Sequence, residues 1–549
     1  MLPRRGPSLF CALFALVTAG FGCAGQRAPS ANDAMTLRDQ LRRPMSPKQA
    51  EAILQPRALS SIGDMAIIQG LEPMPVLGIG LVTGLGDKGS DKASVPDEVR
   101  KEVVKSLMRD ESRSFAESWA LVKSRDTSIV QVSGAIPAGA GTGFLLDVYI
   151  RPLDSAVSLD NGYLHQTPLR KFVTTEEGTV TGDTIAYAEG AVTTAVSSEG
   201  TVILGAGGSR EGVVFDGGKY QEERILIIML KDRYVSGNRA VLIEYLLNRR
   251  FGTAGVQPGL PPMVYAEAVS NRSIFVRVPG AYRRYAGRFA DVVRDTRGSY
   301  YYGAPPASAL KGFQASLETG DPKSKYAASV ELEAVGAAAV PYLEEALGKG
   351  DDWTKLYAGE ALSYLNRPKA ADSVLAAASA AEEQVRFEAV RFLGQVAGRP
   401  TIETLRQKVF DPSGRVAAEA VSALLMQGTE AADRVRLAYF DLVMIPGGSS
   451  GLLVKESGRP MVVISGSGSR LKGTVEMTVA GVGLGSVDDS HVGIVAGSGA
   501  RAQAITVNAT VDDVLTAIAH AGPPFDTMKK IIAGLEDRGN LPQKVIWLR

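Results

Sequence analysis

A chain of 549 residues is long enough for several domains of about 150 residues each, and with 45% hydrophobic and 22% charged residues it can bury cores rather than stay disordered. Its 60 Lys and Arg balance 59 Asp and Glu, which excludes the basic excess that draws a protein to nucleic acid or to an anionic surface. The cysteines, Cys11 and Cys23, both lie at the very start, so nothing beyond them can form a disulfide or a thiolate metal site, and His165, His491 and His520 are not at metal-ligand spacing.

Arg4 and Arg5 precede the apolar stretch Leu9 to Phe21. That stretch is shorter than the about 20 residues needed to cross a bilayer as a helix, and it fits a secretory signal over residues 1–23. Two cleavage readings stand side by side. Gly20-Phe21-Gly22-Cys23 has the form of a lipobox, which would lipidate Cys23 and tether the chain without a spanning helix. Gly22-Cys23-Ala24 fits ordinary small-x-small cleavage. Neither leaves the mature chain in the cytoplasm. Residues 24–60, with scattered Pro, Ser, Arg and Gln, read as a linker or tether, with short helices expected between Thr36 and Leu54.

From residue 61 to about 310 the texture becomes α+β. Ala66-Ile67-Ile68 and the Gly-punctuated run Val76 to Val82 read as strands and turns. Val103, Val104, Leu107 and Met108 place a helix over Asp97–Asp110. Ser128 to Val132, Phe144 to Ile150, Arg224 to Leu230 and Ser273 to Val278 are strand-like, and Asn238 to Arg249 predicts a helix.

Between about 318 and 432, Ala358, Ala389 and Ala420 recur at a step of 31, as do Leu362, Leu393 and Leu424, with a fourth unit near Ala328 and Leu332. Second apolar stretches follow at Val340 to Leu343, Val374-Leu375 and Ile402 with Leu405. The spacing predicts helix pairs resembling short HEAT-like repeats, a stack whose extended surface commonly docks another protein. Residues 436–549 read as β-rich. Near the end, Thr510 and Asp513 predict a capped helix reaching His520. Phe525, Met528, Ile531, Ile532 and Leu535 mark one face of another helix, with Gly539 as its C′ residue.

Motifs with catalytic connotations are each outweighed. Gly84 to Gly89 matches the dinucleotide pattern G-x-G-x-x-G, but Asp87 would oppose a pyrophosphate and no helix starts at once, so a Gly-rich turn is the better reading. Gly447 to Gly451 matches G-x-S-x-G around Ser449, yet a strand rather than a helix follows. The pairs Asp351-Asp352, Asp488-Asp489 and Asp512-Asp513 read as helix starts or turns, and Tyr300-Tyr301-Tyr302 as an inter-domain joint.

Residues 61–91, SIGDMAIIQGLEPMPVLGIGLVTGLGDKGSD, resemble the opening of the flagellar P-ring protein family, matched at Asp64, Gln69, Gly70, Gly78, Gly80, Leu81, Val82, Gly84 and Leu85. Pro137, Asp147, Pro168 and Leu169 follow in the family's order, Tyr187 to Gly190 resembles its Tyr-Ala-x-x-Gly segment, and Asp526 to Ile546 resembles its closing helix, turn around Gly539 and last strand. The resemblance spans roughly 62–290 and 505–548; residues 436–505 match it poorly, and the helical repeats are foreign to it. It implies an exported homo-oligomeric ring in the periplasm, a passive bushing around the distal rod of the flagellar basal body, in contact with rod and L-ring proteins and with peptidoglycan. It implies no enzyme activity, cofactor or metal. The alternative is a non-flagellar envelope lipoprotein scaffold that binds partners through its repeats.

Overall fold

The computed structural model describes residues 61–110, 113–175, 178–194, 211–252, 263–298, 305–367, 370–437, 439–456, 458–496 and 503–548. Cys23, the tether, and Tyr300 to Tyr302 lie outside the described residues. The fold is α+β and divides into two compact units.

The smaller unit draws, among the described residues, on 61–68, 227–252, 263–276 and 297–298. Here α1 (Ile62–Met65) runs into β1 (Ala66–Gln69), and the sheet order is β1, β9 (Ile225–Leu230), β11 (Ser273–Arg277), β10 (Ala266–Ala268). The strict alternation of buried and half-buried residues along β9 marks a strand with one covered face. Helix α4 (Gly237–Phe251) buries Ala240, Ile243, Leu247 and Phe251 on one stripe. Asn248 ties its end to β10: its amide donates to the Ala266 carbonyl at 2.8 Å, and its oxygen accepts from the Tyr265 and Ala266 N–H groups.

The larger unit opens with an antiparallel barrel. Its strands are β2 (Met74–Thr83), β3 (Ser128–Ile136), β4 (Leu145–Pro152), β5 (Tyr163–Thr175), β6 (Gly178–Ala191) and β8 (Gly212–Tyr220), with the two-residue β7 (Thr193–Thr194) beside β8. Order β4-β3-β2-β5-β6-β8 closes on itself because β4 also pairs with β8, so the six strands form a ring, beyond which the outer part of the β5–β6 hairpin pairs only with itself. Val76, Val82, Val130, Val132, Val148, Leu164, Leu169 and Ala186 are all fully buried and pack in one cluster. Outside it, α2 (Asp97–Leu107) and α3 (Phe115–Lys123) cover Leu81 and Ile129 with Val103, Val104, Leu107 and Val122. Ser114 opens α3 with a reciprocal capping box to Glu117.

Among the described residues, eight helices follow α5 (Ala286–Asp295) before the C-terminal sheets: α6 (Ala307–Thr319), α7 (Pro322–Val335), α8 (Val340–Lys349), α9 (Asp352–Tyr364), α10 (Ala370–Ala377), α11 (Glu383–Leu393), α12 (Arg399–Lys408) and α13 (Gly414–Met426). They pack in sequential pairs, with α7, α9, α11 and α13 forming one layer. Ala328, Ala358, Ala389 and Ala420 sit at corresponding places on those four helices and are buried, as are Leu332, Leu362, Leu393 and Leu424. Asp321, Asp351 and Ser413 cap α7, α9 and α13 through their side chains.

The C-terminal part holds a five-stranded sheet, β12 (Asp433–Arg436), β13 (Asp441–Ile445), β15 (Met461–Ser465), β14 (Gly451–Lys455) and β20 (Val545–Leu548), in that order. A second sheet runs β16 (Glu476–Val479), β17 (Val482–Asp488), β18 (His491–Ala496), β19 (Gln503–Asn508). Helices α14 (Val511–His520) and α15 (Phe525–Asp537) share one core with both sheets. Thr510 caps α14 by accepting from the Asp513 N–H, and Gly539, one residue past the C-cap of α15, holds φ +70.

Candidate functional site

The glycines of the opening motif line the seam where β2 meets β5. Gly78 and Gly80 alternate with Val76 and Val82, so they face the barrel interior. A Cβ on Gly78 would lie 2.3 Å from the Pro168 carbonyl oxygen, and one on Gly80 would lie 2.1 Å from the Thr167 hydroxyl. Only hydrogen fits there. The pairing of β2 with β5 shifts register between Leu77 and Val82, at this same place. Gly190 is a third such position: at φ +138, its Cβ would come within 2.8 Å of Val214. Gly84 has φ +79 in the turn that leaves β2, and a 3-10 turn over Gly86–Lys88 follows, with no helix N-terminus to receive a phosphate.

The other motif positions hold chain ends. Asp64 closes a capping box with Ser61, and the Ser61 N–H holds its carboxyl below the usual range. Gln69 ends β1, and Gly70 turns the chain at φ +95. The carbonyls of Gly70 and Glu72, with that of Ile136, all accept from the buried Arg224 guanidinium. Lys92 plays a like part elsewhere. Fully buried at φ +59, it gives its ammonium to the carbonyls of Ser90, Ser124 and Thr127, and burial lowers it to about 8. Neither cation has a sequence pattern that announces it.

Where the barrel meets the C-terminal sheet, charges interlock. Asp147, from the family-like run, accepts from the Asp216 N–H at 2.7 Å, and burial raises its carboxyl. Asp216 in turn faces Arg434 at 3.3 Å and Arg436 at 3.1 Å. Arg459 bonds Asp441 at 2.6 Å and lies over the Phe215 ring.

The layer of α7, α9, α11 and α13 is the module's inner one in the sense that the chain itself covers it. Residues 280–295, a 3-10 turn followed by α5, run along it. Tyr282 stacks on Tyr364 at 4.1 Å and donates to Glu333. Arg284 reaches Glu419 on α13 at 2.6 Å, and Tyr285 meets Phe392 on α11. Arg288, 5% exposed, donates Nε and Nη2 to one oxygen of Glu333 at 3.0 and 2.8 Å and Nη1 to Glu360 at 3.0 Å. Burial opposes its charge, but the two carboxylates more than offset this and raise it further. Burial pushes Glu360 up to about 7 against the pull of Arg288.

The sequence-level catalytic suspects do not converge. The Ser449 carbonyl accepts from Ser465 at 2.9 Å, while β14 follows as a strand. His491 pairs with Asp488 at 2.9 Å, and His520 with the Thr516 carbonyl of its own helix. Asp351 caps α9, and Asp512 and Asp513 lie in the first turn of α14. Among the described residues no three His, Cys, Asp or Glu side chains gather where a metal ion could sit, and no helix is long and apolar enough to cross a membrane.

Residues 61–296 match the profile of a family described as flagellar P-ring protein. Among curated proteins, the flagellar P-ring protein of Helicobacter pylori strain P12 is 28% identical over 197 residues, covering 35% of this chain and 51% of that protein. That of Methylobacillus flagellatus is 27% identical over 204 residues, 37% and 54% of the two chains. That of Thermotoga petrophila is 34% identical over 108 residues, 20% and 30%. The chain thus spans about half the length, or less, of the relatives it matches.

Proposed function

We propose that this chain, whose residues 61–296 belong to the flagellar P-ring protein family, is a structural subunit of the bacterial flagellar basal body. In this reading it is exported to the periplasm, closes with copies of itself into the ring around the distal rod, and serves there as a passive bushing. Rod and L-ring proteins and peptidoglycan are its neighbours, and Cys23 is a lipidation site if the lipobox is used. A closed ring needs a stable head-to-tail contact and no chemistry.

The observation that carries the reading is the family match across 61–296, the residues that build the closed barrel and its glycine seam. A closed ring of strands, with few open edges, suits a part that must not pair with whatever turns beside it. The match ends before the helical module, so the likeness of Asp526–Ile546 to the family's closing elements rests on sequence pattern alone.

The test is mass spectrometry of flagellar basal bodies purified from the native cell. Peptides from both 61–296 and 318–432, at the stoichiometry of a ring, are expected. Basal bodies free of this chain would favour the second reading, an envelope scaffold built on the same domain, for which the large helical addition outside the matched residues speaks.

A further inference from the structure

The inner layer of a helical stack is the surface that commonly receives a partner. Here α7, α9 and α13 each put a carboxylate toward residues 280–295: Glu333, Glu360 and Glu419. Glu419 has Arg284 to itself, at 2.6 Å. Glu333 and Glu360 share Arg288, and the shares are unequal. Glu333 takes two guanidinium donors and the Tyr282 hydroxyl; the contact to Glu360 uses one. One cation buried between two carboxylates leaves a charge of minus one in a dry place unless a proton makes up the difference.

We propose that the inner face of the helical module is a closed binding surface whose occupant is the chain's own residues 280–295, and that a proton on Glu360 locks the occupant in place. Of the other groups facing the segment, Arg391 pulls Glu360 toward its charged form, but less than either Glu388 or Glu333 pushes the other way. On α7 the facing groups are Tyr326 and Glu333; on α9, Tyr357, Glu360 and Tyr364; on α11, Glu388 and Arg391; on α13, Glu419, with Arg415 near it. The segment brings Tyr282, Arg284, Tyr285, Arg288 and Asp291. Glu388 and Glu333 push Glu360 toward its protonated form, and burial does so most. Because the segment ends the family-matched region, the module grips that domain's own terminus instead of an outside protein. The proposal stands whether or not the chain closes into a ring.

The sign follows from where Glu360 titrates. Closed, it titrates near 7; opened to water, near the ordinary glutamate value. The closed form therefore binds more protons, and closure weakens as pH rises toward 8. Amide hydrogen exchange on the full chain reads this directly. Protection factors for 286–295 and 352–364 should fall about tenfold between pH 6 and pH 8. Barrel peptides from 128–136 should not follow. Glu360→Gln, which keeps the neutral shape, should abolish the slope. Should that variant fold poorly, Glu333→Gln leaves Arg288 to Glu360 alone and should move the slope below pH 6. Loss of protection that barrel peptides share, a flat wild type, or a slope between pH 6 and pH 8 that survives in the variant that folds would each overturn the proposal.

Discussion

The barrel and the helical module are held together by opposite means. At the β2–β5 seam the chain removes side chains: Gly78 and Gly80 let the backbone of β5 approach to where a Cβ would collide. Along the inner layer of the module it adds charge: Arg288, Glu333 and Glu360 are all under 10% exposed, and they hold α5 by hydrogen bonds rather than by apolar packing alone. A steric seam is rigid and insensitive to solution conditions. A buried charge cluster is strong only while every member is matched, so it is the part of the molecule that a proton or one mutation can open.

The sharpest way to break this contrast is Arg288→Ala. It strands Glu333 and Glu360 in the interior and should cost about 4 kcal/mol, read as earlier loss of helical circular dichroism in urea. Replacing the cluster together, with Arg288→Met, Glu333→Leu, Glu360→Leu and Tyr282→Phe, should return stability to within about 1 kcal/mol of the parent, since a well-packed apolar substitute is often neutral. If the combined variant were as weak as the single one, matched charge would not be what holds α5.

The barrel's counterpart is Gly80→Val, expected to cost about 3 kcal/mol because the Thr167 and Leu164 side chains must both give way. Gly182→Ala, on β6, is its control: the nearest atom to the new Cβ is the Lys171 carbonyl oxygen at 3.7 Å, so the change should stay within about 0.5 kcal/mol in the same urea titration. Equal losses at the two positions would mean that strand propensity rather than space governs the seam. Next in size is Arg224→Met. The guanidinium leaves three carbonyls behind, and about 2 kcal/mol of barrel stability should go with it.

These regions also differ in how they could be read from sequence. Gly78 and Gly80 stand out plainly in an apolar run, but their local pattern reads as punctuation between strands and turns, whereas both lie inside the single strand β2. Local signals were equally plain: Thr510 before α14, and Ala and Leu returning at a fixed step along α9, α11 and α13. The β5–β6 hairpin was not picked out, because Arg170, Lys171 and Thr174 dilute its apolar alternation. Helix α3 and the charge cluster were also missed. Arg288 and Glu360 are 72 residues apart, and the buried ammonium of Lys92 meets carbonyls 32 and 35 residues away. Nothing local distinguishes such residues from solvated surface charge, which is what most Arg, Glu and Lys are.

The smallest expected effect separates two uses of glycine that look alike in sequence. Gly539 has φ +70, and a Cβ there would meet nothing within 4 Å. Its requirement is conformational, at the left-handed C′ position after α15, and not spatial. Gly539→Ala should therefore cost about 1 kcal/mol. Gly539→Asn should cost less, because asparagine tolerates that backbone region better than alanine does. Gly80 offers no such rescue, since every side chain brings the same Cβ into Thr167. Urea midpoints of the four variants, Ala and Asn at each position, make the comparison. Asn partly restoring stability at 539 but not at 80 is the expected pattern. Asn helping at both would show that the seam needs backbone freedom more than space, and the two regions of the molecule would then differ less than their glycines suggest.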